Sequence, residues 1–303
     1  MLQGMIDIGS NTIRMAIYEI QEDHIDMLMK KKHTVGLASY LKDGDLQQAG
    51  IDRTVEILKE FRSFLESLRI DRVAAFATAA LRSAGNRPKV LDEIEQRTGI
   101  LVDVISGSEE AELGFLGATH SLTERSGILA DIGGASTEVV FFRDGNILRK
   151  TSLPMGSLML HTKHGKDLLS SAEECGRMRE DAENILMEAT DLQEVSHPLI
   201  CGIGGTFKGA KALYNAVFSE DSSRSSSMPV ERIRELIQRF QRNREFGTEE
   251  VILLMKTVPE RMHTLVPGLV IADVLARRFG SETILYSDSG VREGYIYSKI
   301  MGR

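Results

Sequence analysis

The chain has 303 residues, 42% of them hydrophobic and 27% charged, enough for two ordinary domains. No apolar run approaches the roughly 18 residues a bilayer needs, Asp7 falls where a signal peptide would stay apolar, and Cys175 and Cys201 form no CxxC pair, so a cytoplasmic protein without disulfides, zinc or a membrane partner is expected. A net charge of −7 argues against nucleic acid, which normally needs a basic face, yet permits a polyanion neutralised locally by basic groups or a divalent metal.

The first element is "MIDIGSNTIRMAIYEI" (5–20), a strand ending on Asp7, a turn through Gly9-Ser10-Asn11-Thr12, and a second strand. "MKKKHT" (29–34) reads as a solvated strand end, with guidance of a polyanion as the alternative. Residues 52–69 place Val55, Leu58, Phe61, Leu65 and Leu68 at helical spacing. The strand "VAAFA" leads to Arg82, near a helix start with Thr78 one turn earlier; arginine stays charged and donates in a planar fork that suits phosphoryl oxygens. After "VDVIS", Ser106 or Ser108 is expected to cap a helix starting near Glu109. Acids in a first turn complement the helix dipole, but Glu110 shares a face with Gly114 and Gly117. Two glycines cost a helix roughly 1 kcal/mol each, which a close approach would explain, and a carboxylate at the edge of such a face can activate water.

The opening pattern returns as "ILADIGGASTEVVFF" (128–142), and the aspartates are 131 − 7 = 124 residues apart. Asp131 ends the strand, Gly133-Gly134-Ala135-Ser136-Thr137 makes a turn that reads as one residue longer than the first, and Glu138 follows; Asp144-Gly145 signals a hairpin. A domain-sized interval points to a duplicated α/β unit rather than a solenoid. Ser171 and Glu174 form a capping box. In "PLICGIGGTFKGAKALY" a strand runs into Gly204-Gly205-Thr206, opening a helix with Lys208 and Lys211, whose first N–H groups offer a phosphate site. A serine-rich loop at 219–227 precedes a helix with Pro229 in its first turn, and "TILYS" is a further strand. The expected fold is α/β, two similar halves with a cleft between them. One aspartate at a glycine turn is ordinarily a turn cap. A matched pair, Asp7 and Asp131 with Glu138 completing the shell, is better read as a site for Mg²⁺ (or Mn²⁺), which takes one or two carboxylates, water and substrate phosphate. Neither HExxH nor GxSxG occurs.

The blocks "DIGSNT", "TAALRSA", "VISGSEEAELGFLG", "DIGGASTEVV", "GIGGTFKGAKAL", "PERMHTLVPGLVIADVL" and "SDSGVREGYI" together closely resemble the exopolyphosphatase/guanosine pentaphosphate phosphatase (Ppx/GppA) family, of the actin, sugar-kinase and Hsp70 fold superfamily. The resemblance implies two ribonuclease-H-like domains around a phosphate-binding cleft: domain I at 1–120, domain II at 121–290, and a C-terminal helix at 291–303 packing back on the first. It implies Glu110 as the catalytic acid, Arg82 as a phosphate-contacting arginine, Asp131 and Glu138 near metal and phosphate, and phosphate loops containing Gly133, Ser136 and Gly205. Ser10, Asn11, Thr12, Gly134, Thr137, Gly204 and Thr206 complete the expected substrate-binding set. Three departures stand out. Ala135 replaces a usual glycine, so a reshaped turn is expected if that position needs φ > 0. Arg14 stands where many members carry histidine. The chain lacks the helical C-terminal region of longer members, so long-chain processivity is not expected, unless a homodimer groove stands in for that region. The expected activity is Mg²⁺-dependent release of terminal phosphate from inorganic polyphosphate or guanosine pentaphosphate. An ATP-dependent phosphotransferase of the same superfamily and a non-catalytic guanosine polyphosphate sensor are the alternatives.

Overall fold

The computed structural model describes residues 1–22, 24–218, 225–242 and 246–303. Residues 219–224 of the expected serine-rich loop lie outside the described residues. The chain divides into two compact units, Met1–Gly107 and Ser108–Arg303.

The first unit contains β1 (Leu2–Ile8), β2 (Thr12–Ile20), β3 (Ile25–Thr34), a short ladder of β4 (Leu41–Lys42) with β5 (Asp45–Leu46), α1 (Gln48–Ser67), β6 (Val73–Ala77), α2 (Ala79–Arg82), α3 (Arg87–Thr98) and β7 (Val102–Val104). Its main sheet has the order β3-β2-β1-β6-β7. β1, β2 and β3 form an antiparallel meander; β6 and β7 add in parallel. Ile6, Ile8, Ile13 and Met15 alternate onto one face and pack against Ile51, Val55, Leu58, Phe61 and Leu65 of α1. Leu68, expected on that face, lies just past the helix end and is 49% exposed.

The second unit runs α4 (Gly107–Thr119, entered from the last residue of the first unit), β8 (Gly127–Ile132), β9 (Thr137–Arg143), β10 (Asn146–Leu153), α5 (Ser157–His164), α6 (Ala172–Glu188), β11 (Leu199–Ile203), α7 (Gly204–Phe218), β12 (Ser227–Pro229), α8 (Val230–Phe240), α9 (Thr248–Thr257), α10 (Met262–Phe279), β13 (Thr283–Tyr286) and α11 (Val291–Tyr295). The order β10-β9-β8-β11-β13-β12 repeats the first sheet, an antiparallel meander followed by parallel additions, with β12 as an extra antiparallel edge. The β9–β10 hairpin turns at Asp144 (φ 53°) and Gly145 (φ 79°), as the dipeptide requires. Ile128, Ala130 and Ile132 join a large core with α6, α8 and α10. Leu129, Val140, Phe142, Cys201 and Ile203 on the opposite face pack against Ala111, Phe115 and Ala118 of α4. Both cysteines are buried free thiols.

Helix ends follow local chemistry. Ser171 and Glu174 close the capping box that starts α6. Pro229 sits one residue before the first turn of α8, ending β12. α4 begins at Gly107, two residues before the expected start, so both Glu109 and Glu110 lie in its first turn. The glycines of α4 are explained by its own chain. A Cβ on Gly117 would stand 2.0 Å from the Gly290 carbonyl oxygen, and one on Gly294 would stand 1.9 Å from that of Leu113. The residues opening α11 thus lie backbone to backbone on α4, the helix that the expected boundary at 120 leaves in domain I.

Candidate functional site

The two glycine turns are built alike, and the register corrects their expected lengths. In the first, Asp7 pairs with Arg14 and Ile8 with Ile13; in the second, Asp131 pairs with Glu138 and Ile132 with Thr137. The offset is therefore 124 at both aspartates and at their partners (138 − 14 = 124), and the turns are equally long. The Gly9 N–H donates to the Thr12 carbonyl at 3.1 Å and the Gly133 N–H to the Ser136 carbonyl at 2.9 Å.

The carbonyls of both turns are tied inward. The Ser10 carbonyl accepts from the Ala38 N–H, and that of Asn11 accepts from Val35 and Gly36. Gly133 accepts from the Ser157 N–H and hydroxyl, Gly134 from the Met159 N–H. A trans peptide points its N–H opposite to its carbonyl. Asn11 and Thr12 in one turn, and Gly134 and Ala135 in the other, therefore direct successive N–H groups away from the segment that anchors them. Such a nest of amides binds anions. Ala135 does not have a positive φ, so alanine fits there without strain. Asn11 is buried, and its Oδ1 has no hydrogen-bond partner among the described residues.

The charges beside the turns differ. Arg14 Nη1 donates to Asp7 Oδ2 at 3.0 Å. In the second unit the partner of Asp131 is another acid, Glu138, whose Oε1 accepts from the Ser152 hydroxyl at 2.7 Å. Two carboxylates side by side on adjacent strands fit Mg²⁺, which takes one or two carboxylates and fills its octahedron with water and phosphate oxygens. Among the described residues no group of three or more His, Cys, Asp or Glu side chains is gathered for a metal, so the fit is to a two-carboxylate site.

The third turn abuts this pair. Gly204 has φ 77°, and a Cβ there would stand 2.2 Å from Asp131 Oδ1, so only glycine brings the N-terminus of α7 against that carboxylate. A Cβ on Gly205 would lie 1.9 Å from Arg261 Nη2. Arg261, directly before α10, thus holds its guanidinium over the first turn of α7, where anions bind. The block carrying it stands out in the sequence, but no local pattern marks the arginine itself.

Two expected ligand contacts are spent inside the protein. Thr137 is wholly buried and its hydroxyl donates to the Met155 carbonyl; the Thr206 hydroxyl donates to that of Ile132. Both brace the turns. Ser10, Thr12 and Ser136 stay with their turns, buried but at the nests. Lys211 reaches Ser226 and the ring of Tyr286, whose hydroxyl pKa burial pushes up to about 12. Arg82 ends α2 in the first unit, and its Nη1 donates to the Ile105 carbonyl at 3.2 Å.

Glu110 is only 7% exposed, unlike an acid that merely balances a helix dipole in water. α4 covers the sheet face that carries Leu129 and Val140, and alternation puts Asp131 and Glu138 on that face too. Gly114 meets Leu129 and Phe115 meets Phe142, the cross-strand partner of Gly127. α4 crosses that face from β10, where Glu112 pairs with Lys150, toward the end of β13, where the Ser121 and Ser287 hydroxyls hydrogen-bond. Within the second unit, both carboxylates, the Gly133–Ser136 nest, the start of α7 and Arg261 belong to one end of the sheet, and Glu110 is buried in the helix over the face that carries the carboxylates.

Known proteins share this plan. The Ppx/GppA phosphatase family matches residues 16–302. Exopolyphosphatase 1 of Mycobacterium leprae is 27% identical over 304 residues, covering 98% of this chain and 89% of that protein. Guanosine-5'-triphosphate,3'-diphosphate pyrophosphatase of Photobacterium profundum is 27% identical over 299 residues, covering 98% of this chain but 59% of that longer protein. The crystal structure of an exopolyphosphatase from Cytophaga hutchinsonii superposes with a TM-score of 0.86 at 24% identity, covering 100% of this chain and 98% of that one, and shares the actin-like fold of paired ribonuclease-H-like domains. With the family match spanning almost its whole length, the chain belongs to the Ppx/GppA phosphatase family, hydrolases of phosphoanhydride bonds.

Proposed function

We propose that this protein removes the terminal phosphate of inorganic polyphosphate or of guanosine pentaphosphate by attack of water. The observation that carries the reading is the burial of Glu110 in the helix that covers the sheet face bearing Asp131 and Glu138, in a unit whose amide nest and helix N-terminus suit phosphate. Glu110 orients a water molecule and takes its proton as the oxygen adds to the terminal phosphorus. The bridging P–O bond breaks, and its electron pair leaves with the shortened chain. The Gly133–Ser136 amides, the start of α7 and Arg261 hold the phosphoryl oxygens, whose charge is what such a transition state must have stabilised. Asp131 and Glu138 would hold Mg²⁺, which, when bound, neutralises charge on the phosphate oxygens. Asp7, expected to pair with Asp131 as a metal ligand, already carries the Arg14 guanidinium on one oxygen and is assigned instead to orienting that arginine beside the first nest. Arg82 is assigned to phosphate contact in the first unit.

Loss of a general base costs about 10²–10⁴ in rate. Glu110→Gln is therefore expected to lower kcat by that order, with an unchanged melting temperature and unchanged binding of polyphosphate. Normal turnover by this variant would remove Glu110 from the base role. Phosphate release from tripolyphosphate, long polyphosphate and guanosine pentaphosphate, measured side by side, decides the substrate.

A further inference from the structure

β3 is an edge strand of the first sheet, and its register sorts three consecutive lysines onto two faces. Lys31 faces α1, where it pairs with Glu60 and lies 5.7 Å from the ring of Phe64. Lys30 and Lys32 point to the other face, both exposed. Lys32 lies directly across from Arg14, and Arg14 directly across from Asp7, so the three side chains form one row over adjacent strands beside the Gly9–Thr12 nest. Lys30 is across from Ala16, one row further from the nest. Neighbouring rows are about 6.6 Å apart and neighbouring strands about 4.8 Å.

Positive charge on this face gathers toward β3. β1 contributes Gln3, Met5 and Asp7; β2 contributes Thr12, Arg14, Ala16 and Tyr18; the paired residues of β6 are Ala74 and Phe76. β7 adds Asp103, across from Phe76 at the opposite edge, so Asp7 and Asp103 are the acids among these strand residues, while Arg14, Lys32 and Lys30 hold the β3 side. Met5, Ala16 and Tyr18 are buried, so the open line from the nest follows the edge strand through Lys32 to Lys30.

We propose that Lys32 and Lys30 are a binding track for the inner phosphates of linear polyphosphate, continuing the line of anion donors that starts at the Gly9–Thr12 nest and Arg14. The proposal rests on the phosphate-chain reading above. A tripolyphosphate is short enough to be held by the nest, whereas a long chain lays further phosphates beside the lysines. The track sets preference for chain length and leaves the chemical step alone. Lysines on an edge strand with a bulge at Leu28 also discourage edge-to-edge pairing, but Lys31 would share that role equally and is aimed away from the track.

The test compares the wild-type protein, the double variant Lys30→Gln/Lys32→Gln, and the control Lys31→Gln. KM and kcat are measured for tripolyphosphate and long-chain polyphosphate, with binding of both measured separately by calorimetry without divalent metal. Two exposed ionic contacts are together worth about fivefold to tenfold in affinity. The double variant is expected to raise KM and Kd for the long chain by about that factor and to flatten their salt dependence, while kcat and all constants for tripolyphosphate stay unchanged. Lys31→Gln should behave as wild type. An unchanged long-to-short ratio in the double variant, or an equal effect from Lys31→Gln, overturns the track. If the wild-type protein hydrolyses neither substrate, the hydrolase reading falls, and the calorimetric ratio still decides the track. A matching loss for guanosine pentaphosphate assigns the lysines to the shared nest and overturns their selectivity for long chains.

Discussion

His161 and His263 show how the second unit uses burial at single residues. Their rings meet edge to face at 5.4 Å, and His161 Nδ1 is buried without a partner. Desolvation lowers both imidazoles below the ordinary 6.5, and for His263 the nearby His161 and Arg261 add to the effect. A folded-state pKa below the unfolded one means that the unfolded chain binds more protons in the window between them. Stability is then fully present above the ordinary value and is lost as pH falls through 6.5 toward the lower folded values. The melting temperature is expected to drop below about pH 6.5, and His263→Gln should flatten that part of the profile. A profile that stays identical in the variant would remove His263 from the effect. Because Arg261 is shared between His263 and the α7 N-terminus, bound phosphate should also shift this titration.

Among the elements, α4 carries the strongest constraint, since its glycines admit the backbone of the α11 segment. Overpacked contacts cost about 1–3 kcal/mol, and backbone atoms cannot swing aside as a side chain would. Gly117→Ala, with its methyl 2.0 Å from the Gly290 oxygen, is expected to fall at the upper end of that range, read as a lower urea midpoint. Wild-type stability in the variant would show that α4 and α11 can separate without penalty. Since Glu110 lies two helical turns before Gly117, the same variant should lose activity through displacement of α4. The spacing of Glu110, Gly114 and Gly117 announces a close contact in the sequence, but the partner lies far along the chain, and no local pattern identifies it.

Over the whole molecule, the duplicated turns and the alternation of strands with helices were readable because each is written in consecutive residues. Asp7-Ile8-Gly9 and Asp131-Ile132-Gly133 declare themselves, as does Asp144-Gly145. Contacts made across long intervals were not. Arg261 reaches a glycine 261 − 205 = 56 residues earlier. Thr137 and Thr206 look like phosphate ligands until their hydroxyls are found on main-chain carbonyls. The turn lengths were misjudged because matching Thr12 to Thr137 hid the constant offset that strand pairing reveals. The two-carboxylate site makes a prediction for the full protein. Chelation with EDTA should abolish phosphate release and Mg²⁺ should restore it, with little change in melting temperature because Asp131 and Glu138 are fixed by strand pairing. Full activity in chelator would exclude a metal role for this pair.

The exchange of Arg14 for Glu138 at equivalent positions has a further consequence. In one hairpin the facing strand sets a positive charge across from the aspartate, while in the other it sets a second negative one. On the proposed metal reading, the two hairpins should answer differently to divalent ions: the first indifferent to their removal, the second altered by it.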